Sequence, residues 1–301
     1  MAKKKTKPTT LLILLAVAAL ALATYIPSLL SDPADIATRA SSADFQVHFI
    51  DVGQGDCTLI SANGQHMLID GGERGSEERV VKYLKDQGVE RLEIVIATHP
   101  HSDHMGGLAY GILEAFPVGT VIAPQFSPEN MPTTRTYEQF LRAVGELKKQ
   151  GTTARFARPG EEYPLGQAMC TILGPLQEDG VNYNNDSVIT RVRFGNVSVL
   201  LTGDAEKKVE SQLVRHWGAG LQATMLSAGH HGSNTASSDA FLRAVSPQAI
   251  AISCGAGNSY GHPHAQTLER CRDMRIRIFR TDTEGTVVFG SDGKDFWRIE
   301  S

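Results

Sequence analysis

Thr98-His99-Pro100-His101-Ser102-Asp103-His104 brings three imidazoles and a carboxylate together directly after the apolar run Leu92 to Ala97. Neutral imidazole and carboxylate are the usual ligands of zinc, manganese and iron, so the chemistry on offer is metal binding. On a regular helix this spacing would scatter the side chains, because helical neighbours lie three and four residues apart. On a loop leaving a strand, all four can turn inward toward one or two ions. Pro100 and Gly106-Gly107 favour the loop, since proline interrupts a strand ladder and paired glycines permit tight turning. The alternative is an exposed polar loop whose histidines only titrate, and so dense a set of ligand-type side chains argues against it.

Three later clusters end apolar runs in the same manner. Leu200-Leu201-Thr202-Gly203-Asp204 puts a carboxylate just past a strand, Ser227-Ala228-Gly229-His230-His231-Gly232-Ser233 adds two histidines, and Tyr260-Gly261-His262-Pro263-His264 adds two more. Of the ten histidines, seven fall in the opening segment and these clusters, which leaves His48, His66 and His216 as packing or surface residues. A single aspartate at a strand end more often caps a helix than binds metal. The weight therefore rests on the order of the clusters rather than on any one of them.

The elements that must position these residues follow from periodicity and turn signals. Strand-like runs cover Phe45 to Ile50, Thr58 to Ser61 and His66 to Asp70, the last two joined by an Asn63-Gly64 hairpin turn. A helix from Ser76 to Gln87 has apolar residues at helical spacing, with Ser76 as N-cap and Gly88 as stop. A buried strand to Ala97 leads into the histidine segment, followed by a helix around Leu108 to Phe116 and a strand at Val118 to Ala123. Gln125 to Pro132 reads as a loop, and Tyr137 to Gln150 as a helix. Strands then cover Ala154 to Ala157 and Ala168 to Leu173, and Ser187 to Phe194 pairs with Val197 to Thr202 across Gly195-Asn196. A helix from Ala205 to His216 and a strand from Gln222 to Leu226 open further αβ alternation to about Phe279. Thr286 to Gly290 and Phe296 to Glu300 close the chain as strands. The two halves look alike in outline. The simplest architecture is α/β, a four-layer αββα sandwich of two mixed sheets with helices outside and ligands meeting at one edge.

The N-terminus differs in kind. Lys3, Lys4, Lys5 and Lys7 precede an uncharged, mostly apolar run from Leu11 to Leu30, about 30 Å long as a helix and so able to cross a bilayer. Residues 1–30 are expected to be either a single membrane anchor or a cleaved signal peptide, with 31–43 as linker. Both readings put the globular part, 44–301, outside the cytoplasm. Residues 1–43 hold five basic and two acidic side chains, which leaves 24 basic against 31 acidic in the remainder, a formal balance of −7. No broadly basic nucleic-acid-binding face shows in that composition. Cys57, Cys170, Cys254 and Cys271 form no Cys-x-x-Cys pair. Buried free thiols are the default, with Cys254 and Cys271 the pair for a disulfide if one forms.

From residue 44 onward the order of motifs resembles the metallo-β-lactamase superfamily, and within it the ComEC-like extracytoplasmic metallohydrolase domain of competence DNA uptake and its free-standing relatives. The resemblance rests on Phe49 to Asp56, Leu68 to Gly72, Thr98 to Gly107, Asn184 to Ser187, Leu201 to Glu206, Gly229 to Ser233 and Tyr260 to His264. It implies two divalent metal ions, zinc or manganese. His99 and His101 would hold the first, Asp103 and His104 the second, and Asp204 would bridge them. A histidine of the 230–231 pair, His230 preferred over His231, would complete the second site. The histidine that β-lactamases place between the opening motif and the bridging aspartate is missing, and Asn184, Asn185 or a water would fill its place. Fewer nitrogens at the first site lean toward manganese.

The resemblance further implies a phosphodiesterase or nuclease acting on DNA through a metal-bridged hydroxide. Asp103, His231 and His262 are its catalytic candidates, with His231 or His262 donating a proton or holding a phosphate oxygen. Ser233, Asn234 and Tyr260 are candidates for substrate contact, while Asp51, Gln54 and Asp56 would orient ligands or shape the loop. Hydrolysis of a phosphorylcholine ester, cyclic nucleotide or lactone is the alternative, a β-lactam the least favoured, and a non-catalytic DNA-uptake accessory the third reading. A DNA-uptake channel is the expected partner.

Overall fold

The computed structural model describes residues 43–300. The expected N-terminal anchor or signal segment lies outside the described residues, as does all but the last residue of the linker. Among the described residues no helix is long and apolar enough to cross a membrane.

Among the described residues fifteen strands form two mixed sheets. The first runs β15 (Phe296–Ile299), β14 (Val287–Ser291), β1 (Phe45–Phe49), β2 (Thr58–Ala62), β3 (Gln65–Ile69), β4 (Leu92–Ile96), β5 (Val118–Ala123), β6 (Thr153–Phe156). The second runs β13 (Arg277–Arg280), β12 (Ala249–Ile252), β11 (Met225–Ser227), β10 (Val197–Leu201), β9 (Ile189–Phe194), β8 (Ala168–Gly174), β7 (Glu162–Leu165). Pairing is antiparallel from β15 to β3 and parallel from β3 to β6. The second sheet has the same division, antiparallel from β7 to β10 and parallel from β10 to β13. The likeness of the two halves is therefore a likeness of sheet topology.

Strand alternation builds the layers. Successive side chains point to opposite faces, so in β4 Ile94 and Ile96 enter the core between the sheets while Val95 faces the helices outside. In β10, Val199 and Leu201 point inward and Leu200 outward. Helices α1 (Glu77–Asp86), α2 (Ser102–Gly107) and α3 (Arg135–Lys149) cover the first sheet. Helices α4 (Lys207–Trp217), α5 (Asp239–Val245) and α6 (Ala265–Asp273) cover the second. Three apolar clusters, one between the sheets and one under each helical layer, make this an αββα sandwich. Each fully buried large apolar side chain in them contributes about 1.5–3 kcal/mol.

Sequence periodicity misses β7. Its Pro164 and two exposed positions give no strand signal, and proline is tolerated there because β7 is an edge strand. All four cysteines are buried free thiols, so Cys254 and Cys271 are not joined.

Candidate metal centre

The C-terminal ends of β3, β4, β10 and β11 converge at one edge of the sandwich, where strand ends in open α/β sheets commonly hold ligands. His99 follows β4 and is fully buried, its Nε2 3.0 Å from His101 Nδ1. The chain does not stay a loop after His101, as the sequence suggested. His101 is the extended N-cap of α2, and Asp103 and His104 lie in that helix's first turn. The carboxylate of Asp103 is favourable there, at the positive end of the helix dipole. The glycine pair serves close packing rather than turning. A Cβ on Gly107 would meet the Gly71 carbonyl oxygen at 2.0 Å, and one on Gly106 would meet the Arg74 nitrogen at 2.4 Å. This approach lets Gly71 N donate to the His104 carbonyl (2.8 Å) and Gly107 N donate to that of Gly72 (2.9 Å).

Asp70, at the end of β3, anchors the segment from below. Its carboxylate is fully buried and accepts from Thr98 N (2.7 Å), Thr98 Oγ1 (2.6 Å) and His104 Nδ1 (2.8 Å). It was absent from the sequence candidates. The available signal was a carboxylate that ends an apolar strand just before paired glycines.

Asp204 lies beyond β10 and is not a helix cap, since α4 begins at Lys207 with Glu206 as its N-cap. Its two oxygens face different histidines. Oδ1 is 3.2 Å from His104 Nε2 and 3.6 Å from His231 Nε2, while Oδ2 is 3.7 Å from both His99 Nε2 and His230 Nε2. Asp103 Oδ2 joins the first of these sets, 3.2 Å from His231 Nε2 and 4.0 Å from His104 Nε2.

The geometry sets His231, rather than the preferred His230, with Asp103 and His104, and puts His230 beside the other oxygen of Asp204. The cause is local backbone. Both residues adopt left-handed conformations (φ 51° and 54°), which turn the neighbouring imidazoles to different sides of the carboxylate. Such conformations cost non-glycine residues on the order of 1–3 kcal/mol each and cluster at functional sites.

Hydrogen bonding fixes which ring nitrogens are free. His104 Nδ1 faces the Asp70 carboxylate and His231 Nδ1 faces the Ser253 carbonyl (3.1 Å), both acceptors. His99 Nδ1 faces Thr98 Oγ1 (3.1 Å), whose own hydrogen goes to Asp70. Each Nδ1 therefore carries a proton, and each Nε2 is the nitrogen turned to the site. The Nε2 atoms of His104 and His231 lie 3.2 Å apart beside Asp204 Oδ1, a buried oxygen with no hydrogen-bond partner. Converging ring nitrogens and carboxylate oxygens call for positive charge, and nitrogen with oxygen donors suits zinc or manganese. Two groups of ligand atoms meet the spacing for an ion: Asp56, His104, Asp204 and His231, and His99, His101 and Asp204.

The electrostatics point the same way. Burial alone would push the His104 imidazolium down, but Asp204, Asp70 and Asp103 outweigh it and hold it well above its ordinary value. His231 behaves likewise: against burial, Asp204, Asp103 and Asp56 raise it. The carboxylates demand positive charge here, which two protons supply in the metal-free protein and a divalent ion supplies when bound. Burial works to raise Asp103 and Asp204, yet the neighbouring histidines hold both well below the usual carboxylate range. His99 is pushed well down by burial and then by His104.

The remaining candidates divide. Asp56 Oδ1 lies 3.4 Å from His231 Nδ1 and steadies that ring. Asp51 accepts from Gly53 N, and Gln54 Oε1 accepts from Gly255 N, so both shape the rim loops. Asn184, not Asn185, faces the centre: its Nδ2 is 3.5 Å from His230 Nε2. Asn185 turns away, donating to Asp179 and accepting from Glu206 N. Ser233 is buried and bonds with Thr235. Asn234 N donates to His264 Nδ1. His262 sits beside the pair, its ring centre 5.5 Å from that of His230, and burial with the charges of His231 and His230 pushes it down to about 4. Tyr260 stacks on His262 and is 65% exposed, the outermost aromatic of this cluster.

Residues 50–255 match the model of the metallo-beta-lactamase superfamily. The chain is similar to competence protein ComA of Neisseria gonorrhoeae (33% identical, covering 80% of this chain and 31% of that protein). It is also similar to ComE operon protein 3 of Bacillus subtilis (28%, covering 82% and 33%) and to recombination protein 2 of Haemophilus influenzae (33%, covering 83% and 29%). The chain thus spans about a third of the length of these curated relatives. Among solved structures, the fold is like that of CmlA, a diiron β-hydroxylase from Streptomyces venezuelae, at a TM-score of 0.58 and 15% identity, covering 83% of this chain and 54% of that one. It is also like the metallo-beta-lactamase fold protein YhfI from Bacillus subtilis, at 0.50 and 12%, covering 78% and 95%. The αββα sandwich, the His-x-His-x-Asp-His segment at its edge and the two-sided Asp204 agree with these matches: the chain belongs to the metallo-beta-lactamase superfamily and carries the kind of domain found in competence proteins.

Proposed function

We propose that this protein is a two-metal phosphodiesterase that cleaves DNA outside the cytoplasm. The observation that carries the chemistry is Asp204, whose two oxygens each face a separate set of imidazole nitrogens. When bound, a pair of divalent ions would supply Lewis-acid charge to a phosphate and ease the ionisation of an attacking water. His99, His101 and Asp204 would hold one ion, and Asp103, His104, His231 and Asp204 the other. The chain's own residues then have distinct tasks. Asp70, Thr98, Ser253 and Asp56 lock the ring orientations, so the ligand nitrogens need no reorganisation. His231, with both ring nitrogens engaged, is not free to transfer a proton. That leaves His262, neutral at pH 7 and partly exposed beside the centre, to hold a phosphate oxygen or the leaving oxygen.

DNA as substrate is supported by the competence relatives and not by surface charge, and a DNA-uptake channel protein as partner belongs to the same proposal. A location outside the cytoplasm is supported by the lysine-rich start and apolar run of residues 3–30. The test offers single- and double-stranded DNA to the full chain with added zinc or manganese, beside a phosphorylcholine ester, a cyclic nucleotide, a lactone and a β-lactam. DNA cleavage that disappears in Asp204→Asn is expected. Equal cleavage by wild type and variant, or turnover of the lactone alone, would sink the proposal.

A further inference from the structure

The first ion is short of ligands if only His99, His101 and Asp204 supply it, because the histidine that β-lactamases add from the middle of the chain is missing. We infer that His230 replaces it: the histidine pair is split, His231 serving the second ion and His230 the first, with Glu206 as the carboxylate that orients His230. The inference rests on the two-metal reading and extends it to a ligand that the sequence pattern had placed elsewhere.

Four observations converge on it. His230 Nε2 and His99 Nε2 both lie 3.7 Å from the same oxygen, Asp204 Oδ2, which is the oxygen turned away from His104 and His231. His230 Nδ1 lies 3.3 Å from Glu206 Oε1 and 3.2 Å from Thr235 Oγ1. A carboxylate on Nδ1 places the proton there and leaves the Nε2 lone pair directed at the site, the arrangement that metal-bound histidines use. Asn184 is buried, and its Nδ2 lies 3.5 Å from His230 Nε2, so an N–H rather than an acceptor faces that nitrogen, as a lone pair there requires. The consecutive left-handed residues 230 and 231 supply the backbone geometry that lets adjacent side chains serve opposite faces of one carboxylate. His230 stands outside the group of His99, His101 and Asp204, whose ligand atoms lie within 4.8 Å of one another, so its ring would close on them when the ion binds, giving three imidazoles and a carboxylate oxygen, a regular zinc set. The reason for favouring manganese, a shortage of nitrogens, disappears.

The test measures zinc binding rather than turnover. Full-length protein stripped by chelation is titrated with zinc against a chromophoric chelator, and bound metal is counted after dialysis. Wild type is expected to bind two equivalents and His230→Ala one. His231→Ala should also bind one, by losing the other ion. Glu206→Gln should keep both ions but bind one of them about 10–100-fold more weakly. Because His230 is partly exposed at the rim, His230→Gln provides a second variant should the alanine form fold poorly. Two equivalents at unchanged affinity in His230→Ala and His230→Gln would overturn the inference while leaving the two-metal reading standing. Fewer than two equivalents in wild type would instead remove that reading, and the inference with it.

Discussion

Replacing Asp70 by asparagine tests whether the metal centre depends on a residue that touches no metal. The carboxylate accepts three hydrogen bonds in a site with no solvent exposure. Alanine there would strand three donors at about 1–3 kcal/mol each, a loss comparable with a whole domain's stability of roughly 5–15 kcal/mol, so unfolding would mask everything else. Asparagine keeps the shape. With its carbonyl oxygen kept on Thr98 N, its amide turns N–H toward both Thr98 Oγ1 and His104 Nδ1, which share the other oxygen in the wild type. The imidazole then has to move its proton to Nε2, which points at Asp204 Oδ1 from 3.2 Å. A proton on that nitrogen removes the lone pair that would bind the second ion. Losing an outer hydrogen-bond partner of this kind weakens metal affinity about 10–100-fold, or roughly 1.4–2.8 kcal/mol. The metal-free fold should lose about 2 kcal/mol as a charged acceptor becomes neutral. Zinc titration of the stripped variant, with urea unfolding of the same sample, reads both quantities. If Asp70→Asn binds the second ion as tightly as wild type, the tautomer argument is refuted.

Three further outcomes follow from the same geometry. Because burial is outweighed by carboxylates that raise His104 and His231 in the metal-free protein, metal uptake near neutral pH must expel protons. Affinity should rise with pH, up to about tenfold per unit for each proton released. Calorimetry in buffers of different ionisation enthalpy checks this, and a pH-independent affinity would contradict it. His48 is pushed down to about 4, chiefly by burial and then by His66, between Tyr83 Oη and Gln46 Oε1. A lowered histidine takes its proton more readily when unfolded, so its stabilisation is complete above about pH 6.5 and declines as the pH falls toward 4, by about 3 kcal/mol. Urea unfolding of His48→Gln should show a shallower loss of stability than wild type over that window. Gly107→Ala should destabilise by about 1–3 kcal/mol, since the added Cβ meets the Gly71 carbonyl oxygen. Helix propensity alone predicts a gain of about 1 kcal/mol at this position, so a higher melting temperature would show that the close packing had been misjudged.

Much of the fold was legible because its signals are local. Hairpin turns at Asn63-Gly64 and Gly195-Asn196 and the apolar strands all depend on neighbours in the chain; Ser76 does stand at the start of α1, but its hydroxyl donates to the Gly71 and Glu73 carbonyls instead of capping the helix. Edge strand β7 escaped because an edge position relaxes the pattern that periodicity looks for. The helix at Ser102 escaped because glycines that serve tertiary contact resemble glycines that serve a turn.

The same division runs through the metal centre. Residue type and order alone singled out His99, His101, Asp103, His104 and Asp204 as candidate metal ligands, since those side chains have little other reason to recur at strand ends. Sequence could not tell which oxygen of Asp204 each imidazole faces, nor that His230 and His231 part company. It also could not assign Asp70 to His104 or Glu206 to His230. Those relations join distant parts of the chain, as does the approach of His104 to His231, 127 positions apart, and they depend on which ring nitrogen already has an acceptor. Only the packed sheets, which bring four strand ends to one edge and turn two adjacent histidines through left-handed backbone, decide them.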